Sequence, residues 1–151
     1  MNVLFVCTGN TCRSPMAQGI LQDMAEAQGL DIAVKSAGLY ALDGDRASTN
    51  AIKALKESNI DIRNHRARII HRDLLEEADL ILTMSKSHKG VLLSKYGFGE
   101  NKIYTLKEFV YGIERDIPDP FGGNMEVYNN TKYELYDVIE KLIEKIKKGE
   151  Y

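Results

Sequence analysis

Four short apolar runs punctuate this chain, and between them the apolar residues recur at helical spacing. Residues 2 to 7, NVLFVC, form a continuous run with β-branched and aromatic members that ends at turn residues, the pattern of a strand buried on both faces. The segments DIAVKSAG, DLILTMS and KIYTL read as three further strands. The first interval predicts a helix with Ser14 as its N-cap, Pro15 at the first helical position and Ala17, Ile20, Leu21, Met24 and Ala25 along one face, ended by Gly29. STNAIKALKES predicts a second helix with Ala51, Ile52 and Leu55 inward, and Leu74 to Ala78 a short helical piece. Ser85 to Tyr96 reads as helical, with Val91, Leu92 and Leu93 apolar. A long amphipathic helix carrying Leu135, Val138, Ile139, Leu142 and Ile146 closes the chain. Strands alternating with helices pair in parallel through right-handed crossovers. The expected fold is therefore α/β: one domain over residues 1–151, three-layered and Rossmann-like, with a four-stranded parallel sheet and helices on both faces.

Composition narrows the function. With 151 residues, 44% hydrophobic and 28% charged, the chain is globular in type, and no run is long enough to span a membrane. The net charge of −2 comes from interspersed signs, so neither nucleic acid nor an anionic membrane is an expected partner. The first residues lack a basic segment followed by a long apolar stretch and a cleavage site, and the expected compartment is the cytoplasm. Both cysteines, Cys7 and Cys12, fall in one short loop, a poor staple for a fold but a sensible place for reactive thiols.

That loop, CTGNTCRSP, joins the first strand to the first helix, and in a parallel sheet ligands bind at such carboxyl-end loops. Thr8, Gly9, Asn10, Thr11 and Cys12 can curl so that successive amides point inward, since Gly9 and Asn10 tolerate left-handed angles; the result is an anion nest. The helix N-terminus and Arg13 add positive charge, and a guanidinium grips two phosphate oxygens at once. Cys7, lying in the same field, is expected to lose its proton more readily than a free thiol and to attack phosphorus, with Ser14 donating a hydrogen bond to the sulfur. The Walker pattern is absent, and Cys7, Cys12, His65, His71 and His88 lack zinc-site spacing, so no cofactor or metal is expected. His71 and His88 read as surface residues.

Cys-x5-Arg-Ser near residue 7, together with Asp119-Pro120 late in the chain, resembles the low-molecular-weight protein tyrosine phosphatases over the whole length, and implies their phosphotyrosine protein phosphatase I-like fold. The resemblance implies that Asp119 is the general acid, protonating the leaving group and later activating water for hydrolysis of a phosphocysteine. It also implies that Ser36 and His65, in NHRAR, hold Asn10 and so the loop in shape. Phosphorylated proteins are the implied partners, and a monomer the expected state.

The substrate divides the family. Thr11 and DPFGG depart from the tyrosine-specific pattern, an aliphatic residue in the loop and aromatic residues after Asp-Pro, and resemble instead the bacterial protein-arginine phosphatase branch, which implies a role in stress response. A guanidinium suits this reading: Asp119 can pair with its N–H groups, Phe121 can stack on its face, and Leu39 and Tyr40 are expected to form the opposite wall. Tyrosine dephosphorylation is the alternative. Arsenate reduction in its thioredoxin-coupled form requires cysteines downstream, and none follows Cys12. Cys7 and Cys12 are further expected to form a reversible disulfide on oxidation.

Overall fold

The computed structural model describes residues 1–97 and 101–151. Its order is β1 (Asn2–Cys7), α1 (Arg13–Ala27), β2 (Ala33–Gly38), α2 (Thr49–Lys56), α3 (Arg72–Glu77), β3 (Leu80–Thr83), α4 (Lys86–Tyr96), β4 (Ile103–Thr105), α5 (Leu106–Tyr111) and α6 (Met125–Lys147). The strands pair in parallel in the order β2-β1-β3-β4.

Along β1 the side chains divide with a period of two. Val3, Phe5 and Cys7 join a large apolar cluster with Met16, Ile20, Leu55, Leu135 and Ile139, whereas Leu4 and Val6 join a second cluster with Leu74, Leu75, Leu92 and Ile103. Helices α1, α2, α5 and α6 therefore cover one face, and α3 and α4 the other. Burial on both faces explains why the strand reads as an unbroken apolar run. Among the described residues, no helix is long and apolar enough to cross a membrane.

The strand order fixes where a ligand can sit. The chain leaves β1 for β2 on one side and later returns to place β3 on the other, so the carboxyl end of β1 is the point where the winding reverses. Residues 8 to 12 lie there. Gly38 at the end of β2 lets this loop approach: a Cβ on Gly38 would come within 2.6 Å of the Thr8 carbonyl oxygen and 2.9 Å of the Asn10 amide nitrogen.

Two local expectations are corrected. Helix α1 begins at Arg13 with Cys12 in the capping position and no side-chain cap, so Ser14 lies inside the first turn and is not the N-cap. Its hydroxyl is drawn inward by Cys7 and Asn10 instead. The fourth strand stops at Thr105, and Leu106 starts α5, which the sequence reading lacked. Thr105 and Glu108 form a reciprocal capping box there, a signal present in the letters T-L-K-E.

Candidate active site

The loop after β1 is held by its own backbone. The Leu39 and Tyr40 amides donate to the carbonyls of Cys7 and Thr8 at 3.0 and 2.9 Å, and the Ser48 amide donates to the Thr11 carbonyl at 2.8 Å. Asn10 is left-handed, with φ 56°, while Gly9 is not among the positive-φ residues, so one residue makes the reversal where two were expected. The Asn10 side chain compensates for that conformation. Its amide donates to Ser14 Oγ and Ser36 Oγ, both at 2.9 Å, and its Oδ1 accepts from the Arg68 amide at 3.0 Å. His65 Nε2 lies 2.8 Å from the Asn10 carbonyl oxygen. Burial, chiefly, lowers the His65 pKa, and the Asn10 contact opposes it, with Arg68 and Arg66 reinforcing the fall.

Cys7 Sγ lies at the base of the pocket, 2.7 Å from Ser14 Oγ. Burial pushes the thiol above its ordinary value, contrary to the sequence expectation. The Ser14 hydroxyl, the Ser14 and Asn10 amides and the Arg13 charge all pull it the other way. The absence of a side-chain cap on α1 matters here, because the first amides of the helix are not consumed by a serine or aspartate and keep their positive end toward the loop.

Arg13 is buried and linked to the loop before α6. Its Nη1 donates to the Ile117 carbonyl at 2.9 Å, and its Nη2 is 3.7 Å from Asp119 Oδ2. That loop is anchored twice more, by the Ile117 amide on the Met84 carbonyl and by Asp116 Oδ1 accepting the Lys86 amide, each at 2.8 Å. Asp119 therefore overhangs the loop of Cys7 with its side chain 52% exposed, and its Oδ1 accepts the Phe121 amide at 3.1 Å. Cys7, Thr8, Gly9, Thr11, Cys12, Arg13, Asp119 and Phe121 line one pocket, and Phe121 is 79% exposed at its mouth.

Asn10 and Ser14 lie beneath the pocket rather than in its wall, fully buried. Leu39 and Tyr40 do not form the wall assigned to them. Leu39 packs into the cluster of Leu4 and Val6, and Tyr40 is 69% exposed outside the pocket lining; what they supply is the two backbone amides that hold the loop. Cys12 is buried, 3.2 Å from the Tyr128 hydroxyl and 3.6 Å from Ser48 Oγ, and both cysteines are free thiols. Burial, first, and the contact with Cys12 raise Tyr128 to about 12.

The surface assignment holds for His71 and fails for His88. His88 is 5% exposed, with Nε2 2.9 Å from Thr8 Oγ1 and Nδ1 2.8 Å from Ser85 Oγ. Only the adjacency of β1 and β3 brings these residues together. In sequence the one available sign was that His88 stands one turn beyond a buried strand, at the carboxyl edge of the sheet.

The family model described as low molecular weight phosphotyrosine protein phosphatase matches residues 2–150. The chain is 42% identical over 148 residues to the protein-arginine-phosphatase of Bacillus subtilis, covering 98% of each. It is 37% identical over 142 residues to the low molecular weight protein-tyrosine-phosphatase PtpB of Staphylococcus epidermidis, covering 94% of this chain and 96% of that protein. A structure of the YwlE arginine phosphatase, a mutant with a phosphorylated active site serine, superposes with a TM-score of 0.95 at 40% identity, covering 98% of this chain and 97% of the other. A low molecular weight protein tyrosine phosphatase from T. tengcongensis gives 0.93 at 52% identity, covering 96% and 99%.

Proposed function

This chain belongs to the low molecular weight phosphotyrosine protein phosphatase family, and on that premise we propose that it hydrolyses phosphoarginine in proteins through a phosphocysteine on Cys7. The observation that carries the reading is one pocket that joins the Cys7 thiol, the Arg13 guanidinium, the Asp119 carboxylate and the Thr11 side chain.

In the first step the Cys7 thiolate attacks phosphorus, and an S–P bond forms as the bond to the arginine nitrogen breaks. The loop amides and Arg13 hold the equatorial oxygens, where negative charge gathers. Asp119, as the acid, gives its proton to the departing nitrogen, which would otherwise leave as a strongly basic anion. In the second step a water oxygen attacks phosphorus while Asp119 takes its proton, an O–P bond forms as the S–P bond breaks, and phosphate departs from a sulfur left as a thiolate stabilised by the Ser14 hydroxyl.

Three features support arginine. Asp119 is half-exposed beside the pocket, its carboxyl group suited to the N–H edge of a guanidinium, while Phe121 offers a flat apolar surface for its face. Thr11 presents a hydroxyl where an aliphatic side chain would favour an aryl ring. The 42% identical Bacillus subtilis relative is a protein-arginine-phosphatase. Tyrosine is the second reading, favoured by the description of the 52% identical T. tengcongensis protein as a tyrosine phosphatase. Parallel kcat/KM values on phosphoarginine and phosphotyrosine peptides decide between them, and a preference for phosphotyrosine overturns the arginine reading.

A further inference from the structure

We propose that His88 is a positioning residue that aims the Thr8 hydroxyl proton into the anion site, its Nε2–H donating to Thr8 Oγ1 while its Nδ1 accepts from the Ser85 hydroxyl. The inference rests on the reading of the Cys7 pocket as a phosphoryl site and adds a member to it from the far side of β1. Thr8 lines that pocket, and its hydroxyl lies 2.9 Å from Nε2 of His88, a side chain of α4.

The hydrogen-bond inventory selects the tautomer. Ser85 caps α4, and its Oγ already accepts the His88 amide at 3.3 Å. Its own proton then has two possible destinations, His88 Nδ1 at 2.8 Å and Ser87 Oγ at 3.0 Å. Ser87 is exposed and can trade hydrogen bonds with water, whereas Nδ1 belongs to a buried ring and its hydrogen-bond partner among the described residues is Ser85 alone, so the proton is worth more on Nδ1. With Nδ1 as acceptor, the remaining ring proton sits on Nε2, and Thr8 Oγ1 must accept it at 2.9 Å. The Thr8 proton is then free to face the pocket. In the opposite tautomer Thr8 would spend its proton on Nε2 and turn a lone pair toward a bound anion, which Arg13 and the helix end are arranged to attract. The ring stays uncharged near neutrality: burial and the Arg13 charge hold it down at about 4, against the pull of Asp116 and Asp119.

The decisive experiment uses inorganic phosphate as the probe on the whole folded chain. Long-range proton–nitrogen NMR correlation of His88, in the presence of phosphate, should show the proton on Nε2; a proton on Nδ1 overturns the proposal. Phosphate affinity should fall about tenfold in His88→Ala, as for one lost hydrogen bond to a charged group. It should be largely restored in His88→Gln, whose amide nitrogen can reach the same oxygen. In a Thr8→Val background, His88→Ala should cost nothing more. An equal loss in both backgrounds means that the ring supports the fold without acting through Thr8, and the inference fails. Turnover of an aryl phosphate by the wild-type chain tests the phosphatase reading separately, since neither the tautomer nor the coupling depends on it.

Discussion

Cys7 Sγ and Ser14 Oγ lie 2.7 Å apart, both buried, and the same Ser14 oxygen accepts the Asn10 amide at 2.9 Å. Because that oxygen already accepts a hydrogen bond from the Asn10 side-chain amide, the Ser14 hydroxyl is left to donate toward sulfur. The pair is thus polarised for a thiolate even though burial alone disfavours one.

Cys7→Ser should lower turnover by several orders of magnitude while phosphate or vanadate still binds, because a hydroxyl is a far weaker nucleophile but the loop amides and Arg13 remain. Arg13→Ala should lose both. Ser14→Ala should reduce kcat by about tenfold to a hundredfold, through the lost hydrogen bond to sulfur, with a smaller change in KM. Retention of more than about a hundredth of the wild-type rate by Cys7→Ser would rule out covalent catalysis through sulfur.

Oxidation forms a second expectation. Peroxide converts the Cys7 thiolate to a sulfenic acid, which the Cys12 thiol displaces with loss of water to give a disulfide. In the structure Cys12 is held by Tyr128 and Ser48, so capture requires the sulfur to leave those partners. Tyr128→Phe should therefore speed disulfide formation, and Cys12→Ser should make inactivation harder to reverse. Peptide mapping after a peroxide pulse reads both; a wild-type Cys7 driven straight to sulfinic acid contradicts the scheme.

Stability should fall in mild acid. His88 is held down at about 4 and His65 is also lowered, so between pH 6.5 and 4 the unfolded chain binds protons that the folded chain refuses. Stability is full above the unfolded value and drains away as pH falls toward the folded one. Between pH 7 and 5 the His88 share is on the order of 1–2 kcal/mol. Denaturant melts of wild type and His88→Gln at both pH values should show the larger loss in the wild type. Equal losses would place His88 in an ordinary, solvated environment.

How far the sequence reached can be seen in particular residues. The grouping of these residues at one pocket was legible because most of it is local: Cys7, Arg13 and Ser14 fall within one strand-to-helix turn, and Asp119 is marked by its flanking prolines. Strand β1 was legible because it is buried on both sides. His88 was not, since nothing in SKSHKG says that β3 lies beside β1, and a histidine among lysines and serines looks solvated. Leu39 and Tyr40 were misplaced for a related reason. Past the end of β2 the strand alternation no longer dictates which side chain turns inward, and Leu39 found an apolar cluster. Ser14 before Pro15 carries a strong N-cap signature, overridden because the buried thiol and Asn10 compete for its hydroxyl.

Thr11 should select the substrate. Its carbonyl is fixed by the Ser48 amide at 2.8 Å, so a substitution there changes the side chain while the loop backbone stays held. The hydroxyl lies 3.7 Å from Cys12 Sγ, a distance too long for a strong bond, and it remains available to a water or a guanidinium nitrogen at the pocket wall. Thr11→Ile removes that polar atom and adds a methylene. An aryl ring gains from the apolar surface, whereas a guanidinium is crowded and left with an unmet donor. The difference is on the order of 1–3 kcal/mol, or about tenfold to a hundredfold in rate. Thr11→Ile should lower kcat/KM on phosphoarginine and raise it on an aryl phosphate, measured with both substrates on one preparation of each protein. If the ratio does not move, Thr11 belongs to the loop's framework, and discrimination lies with Asp119 and Phe121, which line the same pocket.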